Sequence, residues 1–292
     1  MSEAHLHLEL WALSLAATSA LIVTALLYLS GWLHFRRAFP SLIPTWRLAA
    51  FIAGLFSVWT AVASPLAALD HHSLTFHMAK HLLLMTAASP LLLAGTPTLP
   101  LPHRLLEGFI PSGVFLRQAR WLRHSPPHPL LCWLAGTAAV IGWHLPATFQ
   151  LGMRFLWVHS VEDFSFLLAG LLFWWPVVQP SPTATRSPRW SMALYLFMAA
   201  LPCDILSAFL VFCNHLLYPC YLSRSPLFNL SPLQDQECAG ALMWVWVTFA
   251  YLIPAVFITM QILSPTNTHS HRPVAWDTAA VRPLNGADAE GF

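Results

Sequence analysis

Seven stretches of this 292-residue chain are apolar for about the 20 residues needed to cross a bilayer, and that leaves little choice of architecture. Hydrocarbon offers no water to satisfy backbone N–H and C=O groups, so a spanning segment must be a helix or part of a closed barrel. Long continuous apolar runs, rather than ten-residue alternations, indicate helices. They fall at 9–35, 46–69, 74–96, 129–149, 157–179, 190–213 and 237–263. Charged residues make up only 9% of the chain and hydrophobic ones 57%, whereas a soluble domain carries about 25% charged residues. The expected fold is an all-α, polytopic membrane protein: a seven-transmembrane-helix bundle over residues 1–263. Residues 264–292, rich in Pro, Thr, Asn, Gly and Asp, are expected to form a disordered cytoplasmic tail. The apolar stretch 105–116 is short and contains Glu107, Pro111 and Gly113, so it reads as an interfacial part of a long loop.

Loop charges orient the bundle. Arg36, Arg37, Arg47, Arg104, Arg117, Arg120, Arg123, Arg186, Arg189, Arg272 and Arg282 fall on one side. Only Lys80, Arg154 and Arg224 fall on the other. The excess of basic residues on cytoplasmic loops then predicts an outer N-terminus and a cytoplasmic C-terminus. The start, MSEAHLHLEL, has no basic n-region, so the first span reads as a retained helix rather than a signal peptide. Topology accounts for the net charge of +2, which gives no reason to expect nucleic acid as a partner.

With that orientation, nine of the fifteen histidines lie toward the outer face: His5, His7, His71, His72, His77, His81, His144, His159 and His215. Ionisable groups in or near hydrocarbon cost kilocalories each and mark functional positions. The third span opens FHMAKHLLLM, where His77, His81 and Met85 recur every four residues and share one helix face. Two imidazoles one turn apart can hold a metal ion, and a thioether selects reduced copper. The bland reading of the same pattern is a helix whose histidines bond neighbouring helices while Met85 fills core. The fifth span opens VHSVEDFSF, with His159, Glu162 and Asp163 at i, i+3 and i+4. Acidic residues are favoured at a helix N-terminus whether or not a ligand binds, but carboxylates also orient metal-binding imidazoles. His144 lies near the end of the fourth span, before Pro146; Asp204 is an intramembrane carboxylate in the sixth. Asp235, Gln236 and Glu237 open the seventh, with Met243 deeper on the same helix. Although chain direction alternates, all these polar groups gather at the same end.

No CxxC or CxxxC motif occurs among the five cysteines, which gives no indication of a thioredoxin-like site or a dithiol copper carrier. One disulfide among Cys213, Cys220 and Cys238, tying down the 214–236 loop in an oxidising compartment, is the expectation set against thiolate ligation by the same residues.

Four segments in this order resemble the CtaG family of multispan membrane proteins that assist assembly of cytochrome c oxidase. They are HMAKHLLLMTAASPLLLAGTP at 77–97, WHLPATF at 143–149, HSVEDFSFLLAGLLFWWPV at 159–177 and DQECAGALMWV at 235–245. The likeness runs from the second span to the seventh, and its specificity lies in motif order. It departs from the family pattern at Asp163, where a second histidine is usual. The resemblance implies a part in oxidase maturation, at the step of copper delivery.

The functional expectation is a non-enzymatic assembly factor that holds or delivers copper at its outer face. Its partners would be cytochrome c oxidase subunits or copper-carrying proteins. His77, His81, His144 and His159 are the expected ligands, with Met85 and Met243 as soft auxiliaries. Glu162, Asp163, Asp204 and Asp235 would be supporting or proton-coupled groups. A haem-binding electron carrier is the alternative, since His81 with His144 or His159 could ligate iron across two helices. A metal or proton transporter ranks third, because the other halves of spans three, five and seven are almost free of ionisable groups.

Overall fold

The structure is a computed structural model that describes residues 3–38, 44–95, 128–178, 189–222 and 229–264. The loop stretch 105–116 and the tail beyond residue 264 lie outside the described residues. Within the described residues the chain is helical and contains no strand. In chain order the α-helices are α1 (Glu3–Ala38), α2 (Thr45–Val62), α3 (Leu74–Leu82) and α4 (Ser89–Gly95), then α5 (Pro129–His144) and α6 (Pro146–Arg154). They are followed by α7 (Leu156–Val178), α8 (Arg189–Phe212) and α9 (Pro232–Leu263). Six helical stretches among the described residues are long and apolar enough to cross a membrane, with α3 and α4 forming one of them through Leu74–Gly95. A seventh span results if α5 and α6, bent by 74° at Leu145, count as one. Large side chains such as Phe164, Ile205, Phe209 and Phe257 project from these helices into the surroundings. In a multi-pass membrane protein, that exposed apolar surface meets lipid.

Two boundaries differ from the sequence expectation. The second apolar segment does not stay α-helical to residue 69: α2 ends at Val62, and Pro65–His71 forms a 3₁₀ turn carrying Asp70. Pro65 lacks a backbone donor and disfavours α geometry at Ser64 before it, which accounts for the break. The third span is not a continuous α-helix either, because Leu83–Ala88 widens into a π-helix between α3 and α4. There the Ser89 hydroxyl donates to the Leu84 carbonyl at 2.8 Å, and the Trp174 indole donates to the Met85 carbonyl at 3.0 Å. Side chains thus satisfy carbonyls that the altered ladder would leave without α-type partners.

The third span and α7 are the inner elements of the bundle, and α9 packs on the third span with α8 along its flank. Met78, Leu84, Phe149, Phe166, Phe173 and Tyr218 are almost wholly enclosed. Close approach of α7 to the π segment requires Gly170, where an added Cβ would stand 2.8 Å from the Met85 carbonyl oxygen. At the periphery α1 packs on α2, with Tyr28 stacked on Phe51 at 3.8 Å and its hydroxyl donating to the Gly95 carbonyl at 2.6 Å.

Candidate metal centre

Two elements place the first pair of histidines. The start of α3 is held by Asp235 of α9, whose carboxylate accepts from the Leu74 and Thr75 backbone N–H groups at 2.6 and 3.3 Å. Ser73 occupies the N-cap position but makes no cap bond of its own; its hydroxyl donates to Asp235 at 2.8 Å. Asp235 is itself set by a capping box between Ser231 and Gln234 at the start of α9. One α-turn into α3, His77 and His81 lie against each other with ring centroids 4.3 Å apart. Phe149 meets the edge of His77, and Phe166 stacks on His81 at 4.1 Å.

Glu162 of α7 faces this pair. Its Oε1 lies 3.5 Å from His77 Nε2 and 3.6 Å from His81 Nε2. These residues are 1–4% exposed, yet among the described residues neither ring nitrogen of His77, neither of His81, nor Glu162 Oε1 has a hydrogen-bond partner. Buried polar atoms are almost always paired, and three of these, the Nε2 atoms of His77 and His81 and Glu162 Oε1, face one another closely enough to share one partner. One ligand atom from each of His77, His81 and Glu162 falls within 4.8 Å of the others, which suits a single ion. Gly152 leaves room for the carboxylate, because a Cβ there would stand 2.9 Å from Glu162 Oε2.

A second set adjoins the first. His159 Nδ1 is 3.3 Å from Glu162 Oε2, while its Nε2 is 2.8 Å from Asp70 Oδ2 and 2.6 Å from Lys80 Nζ. An ammonium only donates and a carboxylate only accepts, so this one nitrogen can serve Lys80 or Asp70 but not both. Lys80 also reaches Asp70 Oδ2 at 2.5 Å and Asp163 Oδ1 at 2.9 Å, so both carboxylates surround one buried cation. Burial alone would raise the Asp70 carboxyl pKa. The Lys80 ammonium, and after it His159, outweigh that and hold it well below the usual carboxylate range. Asp70, His71 and His159 form a second group with metal-compatible spacing, but Lys80 Nζ already sits against Asp70 and His159.

Two tyrosines close the same end: Tyr221 donates to the Asp70 carbonyl and Tyr218 to the His144 carbonyl, both at 2.9 Å. Gln236 holds the adjoining loop by accepting from Leu217 N–H at 2.9 Å.

Of the expected ligands, His77, His81 and His159 therefore gather around Glu162, with Asp163 beside them. His144 stands slightly apart, its ring 6.4 Å from that of His81, and Met85 and Met243 line a small cavity between them. Asp235 makes its contacts with the start of α3 rather than with a histidine. Asp204 makes no hydrogen bond to the cluster; it neighbours Cys203, which lines that cavity. His72 and His215 are exposed, and the side chains of His5 and His7 lie outside what the structure describes. None of the five cysteines forms a disulfide, so the expected bridge among Cys213, Cys220 and Cys238 is not present.

Asp70, Lys80 and Met78 belong to this end of the bundle and were missed as site residues in the sequence. Lys80 entered only as a flanking charge, although a lysine between two histidines in an apolar run signals a buried partner. No local pattern announces Asp70, since its role depends on the 3₁₀ turn folding back over α3 and α7.

The fold and cluster define a multi-pass helical membrane protein with a buried histidine–carboxylate centre at one end. Residues 26–264 match the family of cytochrome c oxidase caa3 assembly factors (Caa3_CtaG), and the chain belongs to that family. An uncharacterized protein of Mycobacterium leprae (strain TN) is 24% identical over 287 residues, covering 96% of this chain and 42% of that protein. One from Mycobacterium bovis (strain ATCC BAA-935 / AF2122/97) is 24% identical over 265 residues, covering 87% and 39%. The chain thus spans about two fifths of the length of the curated relatives it matches. No solved structure matches it.

Proposed function

We propose that this protein is a non-enzymatic factor that binds copper as cargo at His77, His81 and Glu162 and passes it toward a cytochrome c oxidase subunit. The observation that carries this reading is the set of buried, unpaired donor atoms on those three residues. Two imidazoles and a carboxylate suit a divalent first-row ion, and copper(II) stands highest in affinity among these for such ligands. Glu162 would supply the negative charge, while His159 and Asp163 position the carboxylate and the neighbouring ring. Membership in an oxidase assembly family supports copper, the cargo that the resemblance implies, as our choice from that series.

The size of the adjoining space favours an ion over haem. The cavity between His81 and His144 measures about 20 Å³, whereas pockets for cofactor-sized molecules run to roughly 300 Å³ or more.

We place the cluster at the outer face of the plasma membrane, on the strength of the arginine asymmetry. A reporter active only outside the cytoplasm should work when fused after Ser223 and fail after Ser187. Copper(II) titration of the purified protein tests the site. One equivalent is expected in the native chain, with affinity reduced more than tenfold in Glu162→Gln and in His81→Ala while thermal unfolding stays cooperative. Unchanged copper affinity in the His77→Ala/His81→Ala double variant would remove the reading.

A further inference from the structure

Next to the His77–His81–Glu162 cluster lies a cavity of about 20 Å³ lined by Met78, His81, Met85, His144, Cys203 and Met243 among others. A space of roughly 10–15 Å³ on this scale admits one water, so this one accommodates a single small ion. Its lining includes three thioethers, a thiol and two imidazoles, but no carboxylate among the described residues.

The chemistry of His144 gives the cavity direction. Its Nδ1 stands 2.6 Å from the Val140 carbonyl oxygen, which only accepts, so the neutral ring carries its proton on Nδ1. The lone pair on Nε2 then points at Met78 Sδ, 3.1 Å away. A thioether has no proton to offer. Two lone-pair atoms thus stand in contact, in a buried place, with no hydrogen between them. An imidazole that donates one N–H to a backbone carbonyl and turns its other nitrogen inward has the usual posture of a metal ligand.

We infer that this cavity is a second and separate metal site, taking a soft monovalent ion such as copper(I) or silver(I). His144 Nε2 and Met78 Sδ supply the first two ligands, and Met85 and Met243 are the thioethers available to complete the set. Thioethers select copper in its reduced state, and a lining without carboxylates leaves a divalent ion uncompensated. His81 borders both this cavity and the Glu162 cluster, so the two sites share a wall. The inference goes beyond copper at the Glu162 cluster and does not require it.

Silver(I) titration of the full chain in detergent tests the proposal. Cys213, Cys220 and Cys238 are replaced by Ser so that thiols outside the cavity do not bind the probe. The parent is expected to bind one silver ion at this site. Met78→Leu, which keeps bulk and apolarity, should weaken it beyond the roughly 10–100-fold typical of an outer-sphere change. X-ray absorption of the silver-loaded parent should show sulfur scattering that falls in Met78→Leu. Glu162→Gln should leave silver affinity within about threefold of the parent. Silver affinity unchanged in the Met78→Leu/Met85→Leu pair overturns the site. Silver affinity lost in Glu162→Gln as fully as in Met78→Leu reduces the two sites to one and overturns their separateness. Failure of copper(II) to bind the Glu162 cluster would show in the other titration and leave this readout intact.

Discussion

The carboxylate of Asp235 stands 2.6 Å from the backbone nitrogen of Leu74, so the helix that carries His77 and His81 is capped by a residue 161 positions away in sequence. Capping usually comes from the residue just before the helix. Here the cap comes from α9 and fixes α3 to it at the level of the site. Losing an N-cap costs about 0.5–2 kcal/mol, and the carboxylate also meets the positive end of the helix dipole. Asp235→Ala should therefore lower stability by about 1–2 kcal/mol and weaken metal binding, because the first turn of α3 loses its anchor. Asp235→Asn should recover part of both, since an amide oxygen still accepts. Thermal unfolding alongside copper titration checks the pair.

Lys80 is enclosed by Asp70, Asp163 and His159. Removing one partner of a buried ion pair is costly because the other charge remains, typically by about 3–5 kcal/mol. Lys80→Met should be among the most destabilising single changes in this end of the bundle. Adding Asp70→Asn to it should restore part of the loss, and a double-mutant cycle by chemical or thermal unfolding measures the coupling.

Asp70 gives the site a definite acid limit. Its carboxyl pKa in the folded protein is held well below the ordinary carboxylate range, chiefly by Lys80 and then His159 against the opposing effect of burial. A depressed folded pKa contributes stability above the unfolded value of about 3.9, and that contribution is lost as pH falls through the folded value. Stability attributable to Asp70 should thus be flat from neutral pH to about pH 5, then decline below about pH 4. Comparing the native protein with Asp70→Asn across that range should show the added acid slope in the native protein alone.

Gly152 sets the space for Glu162. An alanine there would place its Cβ 2.9 Å from Oε2, so the carboxylate must shift within a packed environment. Gly152→Ala should reduce copper affinity about tenfold or more while changing the unfolding temperature little, since the clash falls on a side-chain end. Equal losses of affinity in Gly152→Ala and Gly152→Ser, with normal folding, would support the steric account. Undiminished affinity in both would refute it.

Much of this arrangement was legible in the sequence because hydrophobic length and helical spacing are local. Apolar runs mark the helical segments, and the i, i+4 spacing places His77 beside His81. The i, i+3 spacing likewise sets His159 and Glu162 on one face of α7, and the gathering of His144, Asp235 and Met243 at one end follows from alternating chain direction. What escaped the sequence depends on tertiary closure. Asp235 looks like a ligand-side acid until α9 is seen to meet the start of α3. Lys80 looks like a flanking charge until the 3₁₀ turn brings Asp70 over it. Met78 is one of eight methionines, and only the approach of α5 sets its sulfur against His144. The expected cysteine bridge failed for the opposite reason: three cysteines near one loop carry no information on whether their side chains meet.

The π segment at Leu83–Ala88 separates two tasks within a single span. On its near side α3 holds His77 and His81 under the Asp235 cap, and on its far side α4 carries Gly95 to its contact with Tyr28 of α1. Each residue turns an α-helix by about 100°. Deleting one residue between 83 and 88 would heal the ladder into plain α-helix and leave the histidine pair where it is. It would also keep Gly95 close to its present face, toward Tyr28, because a π turn holds about one residue more than an α turn and the shortened α segment sweeps nearly the same angle. The span is therefore jointed rather than a single rod: its middle section carries one residue more than a plain helix joining the same two faces needs, and that extra residue turns the Leu84 and Met85 carbonyls toward Ser89 and Trp174.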